Sequence, residues 1–265
     1  MANNLKGDTY MNDDRRTDNT RKAGFPESSP DSQAAMTSRI CKIREQIAQA
    51  AEKAGRSPDE ITLIGVSKRF PASSASLAVR SGLQDLGENR VQEMLPKIDQ
   101  LAAEGLTPNW HLIGTLQKNK VKYVVGKCYL IHSVDSLKLL EALSKRSVSQ
   151  ETVTRVLLQV NSSGEDSKHG FDPVSLTEEI RKAFHYEGLS VCGLMTMAPL
   201  TENPQETLPV FQKTQDLFEQ IRAMPGTPES FNCLSMGMSQ DFRQAVLCGA
   251  THVRIGTALF GSRDQ

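Results

Sequence analysis

Apolar positions along the chain change rhythm repeatedly between helical and strand-like spacing. Ile40, Ile43, Ile47 and Ala51 fall on one face at helical spacing, and Gly55 with Pro58 ends that helix. Beyond it, short apolar runs near residues 62–68, 86–89, 110–114, 129–134, 155–160, 189–197, 232–236 and 252–256 read as strands. Between them, Val91, Met94, Leu95, Ile98 and Leu101 form one amphipathic helix, Leu137, Leu140 and Leu143 a second, and Val210, Phe211, Leu217 and Ile221 a third. Near-continuous apolar strands alternating with one-sided helices predict a parallel sheet covered by helices. Eight such units over about 230 residues match a single (β/α)8 TIM-like barrel, here with an added N-terminal helix. A doubly wound open sheet is the alternative, but no Gly-rich dinucleotide fingerprint follows the first strand.

Residues 1–35 break the rhythm. They are rich in Asn, Asp, Arg and Ser, contain Pro26 and Pro30, and cannot bury enough apolar surface to offset the entropy of ordering, so a disordered tail is expected before one domain at 36–265. Asp13, Asp14 and Asp18 are unlike an acid-poor transit peptide, and no secretory apolar segment or membrane-length run is present, so a cytoplasmic protein is expected. Thirty-one basic residues balance 31 acidic ones, which argues against nucleic acid or membrane as partner; Lys118, Lys120 and Lys122 read as a solvated helix face. The five cysteines, Cys41, Cys128, Cys192, Cys233 and Cys248, are scattered and never at CxxC spacing, which argues against a zinc site or disulfide framework. No HExxH occurs, so no metal is expected, and His111 reads as a satisfied core histidine.

Strand ends carry the chemistry. The run Leu63 to Val66 delivers Ser67 and Lys68 to an edge, where desolvation would lower the amine's pKa toward the form that attacks aldehydes. Asn89, Ser235 and Arg254 stand at other strand ends. Ser235-Met236-Gly237-Met238-Ser239 and Gly256-Thr257 offer backbone N–H groups after the last two strands, where barrels hold phosphate. Ser239 could instead cap the following helix, and Gly256-Thr257 could be a simple strand-exit turn. Arg254, inside an apolar strand, needs an acceptor: a ligand's pyridine nitrogen, or a structural partner such as Glu88 or Asp85. Lys168 lies on the loop after the fifth strand, within reach of a ligand. An aldehyde-seeking lysine and a phosphate cradle together suggest pyridoxal 5′-phosphate (PLP).

Several longer motifs occur in order: Val66-Ser67-Lys68, Leu86 to Glu93, Trp110 to Lys120, Leu234 to Ser239, and Val253 to Gly261. On these the chain resembles the pyridoxal-phosphate homeostasis proteins, the YggS/PROSC family, from about Ile40 to Gly261. The resemblance implies a single-domain barrel of the alanine racemase N-terminal type, with Lys68 as the Schiff-base lysine and Arg254 facing the pyridine nitrogen. It also implies Ser235, Gly256 and Thr257 among the phosphate ligands, Asn89 near the ring and Lys168 as a second lysine near the cofactor. Asn89-Arg90 departs from the Asn-Tyr common there, and Thr115 from the usual Pro or His. The implied role is PLP binding in intracellular vitamin B6 homeostasis, with PLP-dependent apo-enzymes as acceptors and a monomer or weak homodimer as the assembly. The chain ends at Gln265 soon after the last strand, so no second domain is expected to supply an opposing base, and efficient catalysis is not expected. A slow PLP-dependent racemase or lyase, and an aldolase-like barrel using Lys68 without cofactor, are the alternatives.

Overall fold

The computed structural model describes residues 32–165 and 169–261. Eight parallel strands close in sequence order into a barrel, which overturns the open-sheet alternative. They are β1 (Thr62–Val66), β2 (Asp85–Glu88), β3 (Asn109–Leu112), β4 (Leu130–Val134), β5 (Thr154–Gln159), β6 (Leu189–Met195), β7 (Cys233–Ser235) and β8 (His252–Ile255). The helices are α1 (Gln33–Lys53), α2 (Ala72–Arg80), α3 (Val91–Ala103), α4 (Val121–Val124), α5 (Leu137–Ser149), α6 (Pro173–Phe184), α7 (Leu208–Arg222), α8 (Phe242–Leu247) and α9 (Thr257–Phe260). The expected tail lies outside the described residues up to position 31, and Gln33 to Ala35 already belong to α1. Among the described residues no helix is long and apolar enough to cross a membrane.

The four-residue α9 is too short to cover the seam where β8 meets β1. Helix α1 does so instead, burying Met36, Ile40, Ile43, Ile47, Ala50 and Ala51 and packing on α8, α2 and α9. The main apolar core lies between strands and helices, where residues such as Leu86, Leu112, Ile131, Leu158, Leu194 and Phe211 are fully buried. A smaller cluster, Leu130, Leu157, Cys192, Met195 and Cys233, sits on β4 to β7. It shares strand faces with His132 and Ser235, so the barrel's interior mixes apolar and polar side chains. All five cysteines are free thiols, Cys41 being exposed and Cys192, Cys233 and Cys248 buried.

Strand β6 slips register against β5 between Val156 and Leu157 and approaches β7 closely at Gly193. Gly193 has φ 150°, and a Cβ there would lie 1.8 Å from the Cys233 carbonyl oxygen. Gly193→Ala should therefore part β6 from β7 and destabilise the barrel by roughly 3 kcal/mol or more. Urea unfolding tests this; a midpoint equal to that of the parent would show that the strands tolerate a side chain there.

Candidate functional site

Strand β1 ends at Val66, two residues earlier than the apolar run suggests, and Lys68 stands in the turn that follows. The Phe70 N–H donates to Ser67 O (3.0 Å), and Arg69 takes a left-handed φ of 64° while its N–H donates to Glu93 Oε2 (2.9 Å). A non-glycine residue in this region is strained, and the bond to Glu93 holds it there, directly after Lys68. Behind the turn, Glu88 is fully buried and its Oε1 accepts from Ser67 Oγ (2.6 Å) and from Lys97 Nζ. Lys97 Nζ also donates to Ser67 O at 2.7 Å. The ends of β1 and β2 are thus pinned together from α3, with Lys68 on the open side.

That side is a cavity of about 680 Å³ at the C-terminal ends of the strands. It brings together Lys68, Asn89, Ser239, Arg254, Gly256 and Thr257. Residues 197–201 after β6 form part of its wall, with Leu200 87% exposed beside it. Ser235 and Met236 lie outside the lining and are fully buried beneath it. Gly237 has φ +90°, and a Cβ there would meet Ala245 Cβ at 2.5 Å and Phe242 Cα at 2.9 Å, so its part is to let the loop pass close to α8. Lys168 lies outside the described residues.

Two local alternatives are corrected. Ser239 is not a helix cap: Asp241 directly precedes α8, and the Ser239 hydroxyl accepts from the Gly256 N–H at 3.2 Å, tying the loops after β7 and β8 together. The Met238 N–H donates to Asp241 Oδ1 (2.6 Å), which closes the first of these loops. Nor does Arg254 pair with Glu88 or Asp85. Its guanidinium donates to Ser235 Oγ and to Thr196 O (2.9 Å), while Glu88 is taken by Lys97 and Asp85 by His111. Burial pulls the Arg254 pKa down to about 10, with Asp241 acting in the opposite sense, so the group stays cationic at neutral pH.

Polar residues that the sequence did not single out complete the floor. His132 Nδ1 lies 2.9 Å from Ser235 Oγ, and His132 Nε2 lies 2.9 Å from His111 Nδ1. His111 Nε2 reaches Asp85 Oδ1 at 3.0 Å, so His111 is indeed a satisfied core histidine. A histidine beside Ser133 within the otherwise apolar run Leu130 to Val134 was the available signal for His132. Burial lowers all three interior histidines, His252 to about 3. Asp85 is pushed up by burial but pulled further down by hydrogen bonds from His111 and Asn109. Among the described residues no cluster of three or more His, Cys, Asp or Glu is arranged to hold a metal ion.

The lowered histidines set an acid limit. Unfolded, they bind protons near 6.5; folded, they resist until the pH is lower, so their contribution is present above 6.5 and lost as pH falls below it. Urea midpoints should decline between about pH 6.5 and pH 5, whereas a flat profile would mean that a histidine is already charged in the fold.

The chain is similar to proteins of one kind. Residues 40–264 match the family model for the N-terminal domain of alanine racemase. A pyridoxal phosphate homeostasis protein of Aquifex aeolicus is 41% identical over 230 residues, covering 85% of this chain and 97% of that protein. PipY of Synechococcus elongatus, solved with PLP bound, is 33% identical with a TM-score of 0.72, covering 85% of this chain and 100% of that one. An alanine racemase of Clostridium difficile, 14% identical with a TM-score of 0.63, covers 84% of this chain and 60% of that one and shares the fold.

Proposed function

The chain belongs to the pyridoxal phosphate homeostasis family, built on the alanine racemase N-terminal barrel, and from that premise we propose that it binds PLP and serves its homeostasis. One observation carries the reading: a single cavity joins Lys68 to Arg254, Ser239, Gly256 and Thr257, from opposite ends of the sequence. The donor set fits the group, with an amine for an aldehyde, a cationic donor for a ring nitrogen, and loop N–H groups for a phosphate. When bound, PLP supplies an electrophilic aldehyde carbon. Lys68 would present the amine that takes the aldehyde, and Asn89 would border the ring. Arg254, which has donors and no acceptor, would face the pyridine nitrogen and leave it unprotonated. Ser239, Gly256 and Thr257 would hold the phosphate with their loops. Ser235, which donates into the interior and accepts from Arg254, positions the arginine from below.

A carrier fits this lining better than an enzyme does. Among the described residues the titratable side chains of the cavity are Lys68, Asp241 and Arg254, and Asp241 already accepts from the Met238 N–H. Racemisation needs proton-transferring groups on both faces of a carbanion, and an unprotonated pyridine stabilises that carbanion poorly. The cargo would then pass to apo-enzymes that use PLP. The purified chain mixed with PLP should show a violet absorption band that borohydride abolishes, together with α-proton exchange of amino acids no faster than free PLP gives. Absence of the band would overturn the binding reading. Exchange well above the free-cofactor rate would replace the carrier with a slow racemase or lyase.

A further inference from the structure

A continuous hydrogen-bonded chain runs through the barrel from its N-terminal mouth to the cavity: Asp85, His111, His132, Ser235, Arg254. With both rings neutral, as their full burial favours, the two ends dictate the direction of every bond in it. Arginine can only donate, so Ser235 Oγ accepts from Arg254, and the one hydroxyl proton turns to His132 Nδ1. His132 must then carry its proton on Nε2, which points at His111 Nδ1. His111 in turn must carry its proton on Nε2, which points at the Asp85 carboxylate. The reverse direction is closed at both ends, because a guanidinium cannot accept and a carboxylate cannot donate. The two neutral rings therefore share one tautomer, with the proton on Nε2 in each.

We propose that Asp85, at the opposite mouth of the barrel, is a positioning residue for Arg254. Its carboxylate sets the proton positions of the two histidines, and these keep Ser235 as the acceptor that aims the guanidinium into the cavity. The Asp85 side chain is 17% exposed and also accepts from Asn109 Nδ2 at 3.0 Å, so the relay has one anchored end near the surface. This rests on the reading that Arg254 faces the pyridine ring of PLP, yet the relay itself can be observed without any ligand.

Nitrogen-15 NMR of the histidine-labelled chain without PLP should find His111 and His132 neutral with the proton on Nε2. Asp85→Ala should release that single tautomer at both rings, shift the absorption maximum of the PLP-loaded protein and weaken PLP retention by about tenfold. Asp85→Asn, whose amide oxygen still accepts from His111, should restore the tautomers and the spectrum. The proposal is overturned by an Nδ1 proton or an imidazolium at either ring in the parent chain. It is equally overturned if Asp85→Ala leaves the His132 tautomer and the PLP spectrum unchanged. Should Asp85→Ala fail to fold, Asp85→Leu, which keeps bulk at that position but offers His111 no acceptor, gives the same readouts. Expected tautomers in a chain that binds no PLP would uphold the relay and reject the functional reading.

Discussion

Replacing Lys68 with alanine should abolish the violet band and cut PLP retention by at least about 100-fold, roughly 3 kcal/mol. The proposed contacts to Arg254 and to the loops after β7 and β8 would survive the change, so weak, non-covalent binding should remain and show as quenching without a new band. The fold should survive as well, because Ser67, Glu88 and Lys97 pin the neighbouring turn. Retention equal to that of the parent, or a band that borohydride still abolishes, would move the aldehyde's partner to another lysine.

The pinning group should produce the largest stability effect. Lys97→Met leaves Glu88 buried with no cation beside it, and Oε2 of Glu88 already has no hydrogen-bond partner. Breaking a buried pair on one side costs about 3–5 kcal/mol, and removing the charge as well, in Lys97→Met with Glu88→Gln, should recover most of it. The pH dependence has a definite sign. Burial raises the Glu88 carboxyl above 4.5, while Lys97 and Ser67 pull it down. A raised carboxyl contributes stability at pH below 4.5 and loses it as pH rises through the raised value. Without Lys97 the raising burial is unopposed by its cation, so the variant's deficit should be greatest near neutral pH and shrink toward about pH 5. A deficit independent of pH would show that Glu88 stays protonated throughout, and that packing rather than charge links it to Lys97.

The strands were legible because their apolar runs are short, dense and evenly spaced, and eight of them with intervening one-sided helices leave few architectures. Lys68 was legible because an apolar run leads up to it, and Arg254 because it is a lone cation inside such a run. The interior partners were not. Both faces of these strands are buried, so the sequence alone does not say that His132 and Ser235 look inward; only closure of the barrel decides it. The family resemblance implies Ser235 among the phosphate ligands, and what the sequence does not show is that its hydroxyl accepts from Arg254. Lys97 was hidden for a different reason. A lysine on an amphipathic helix reads as solvated, and here the helix face turns it inward to 6% exposure.

The bond between Ser239 Oγ and the Gly256 N–H gives the loops a closed resting form. An anion that claims the Gly256 N–H displaces a neutral acceptor and frees a hydroxyl, which can then donate to the newcomer. Departure of the anion lets the serine return. The emptied protein is thus left with no stranded donor at this point, and loading and unloading differ by an exchange of partners instead of the making and breaking of a site. Such a self-sealing latch would suit the proposed carrier, which would have to survive in both forms and give up its cargo.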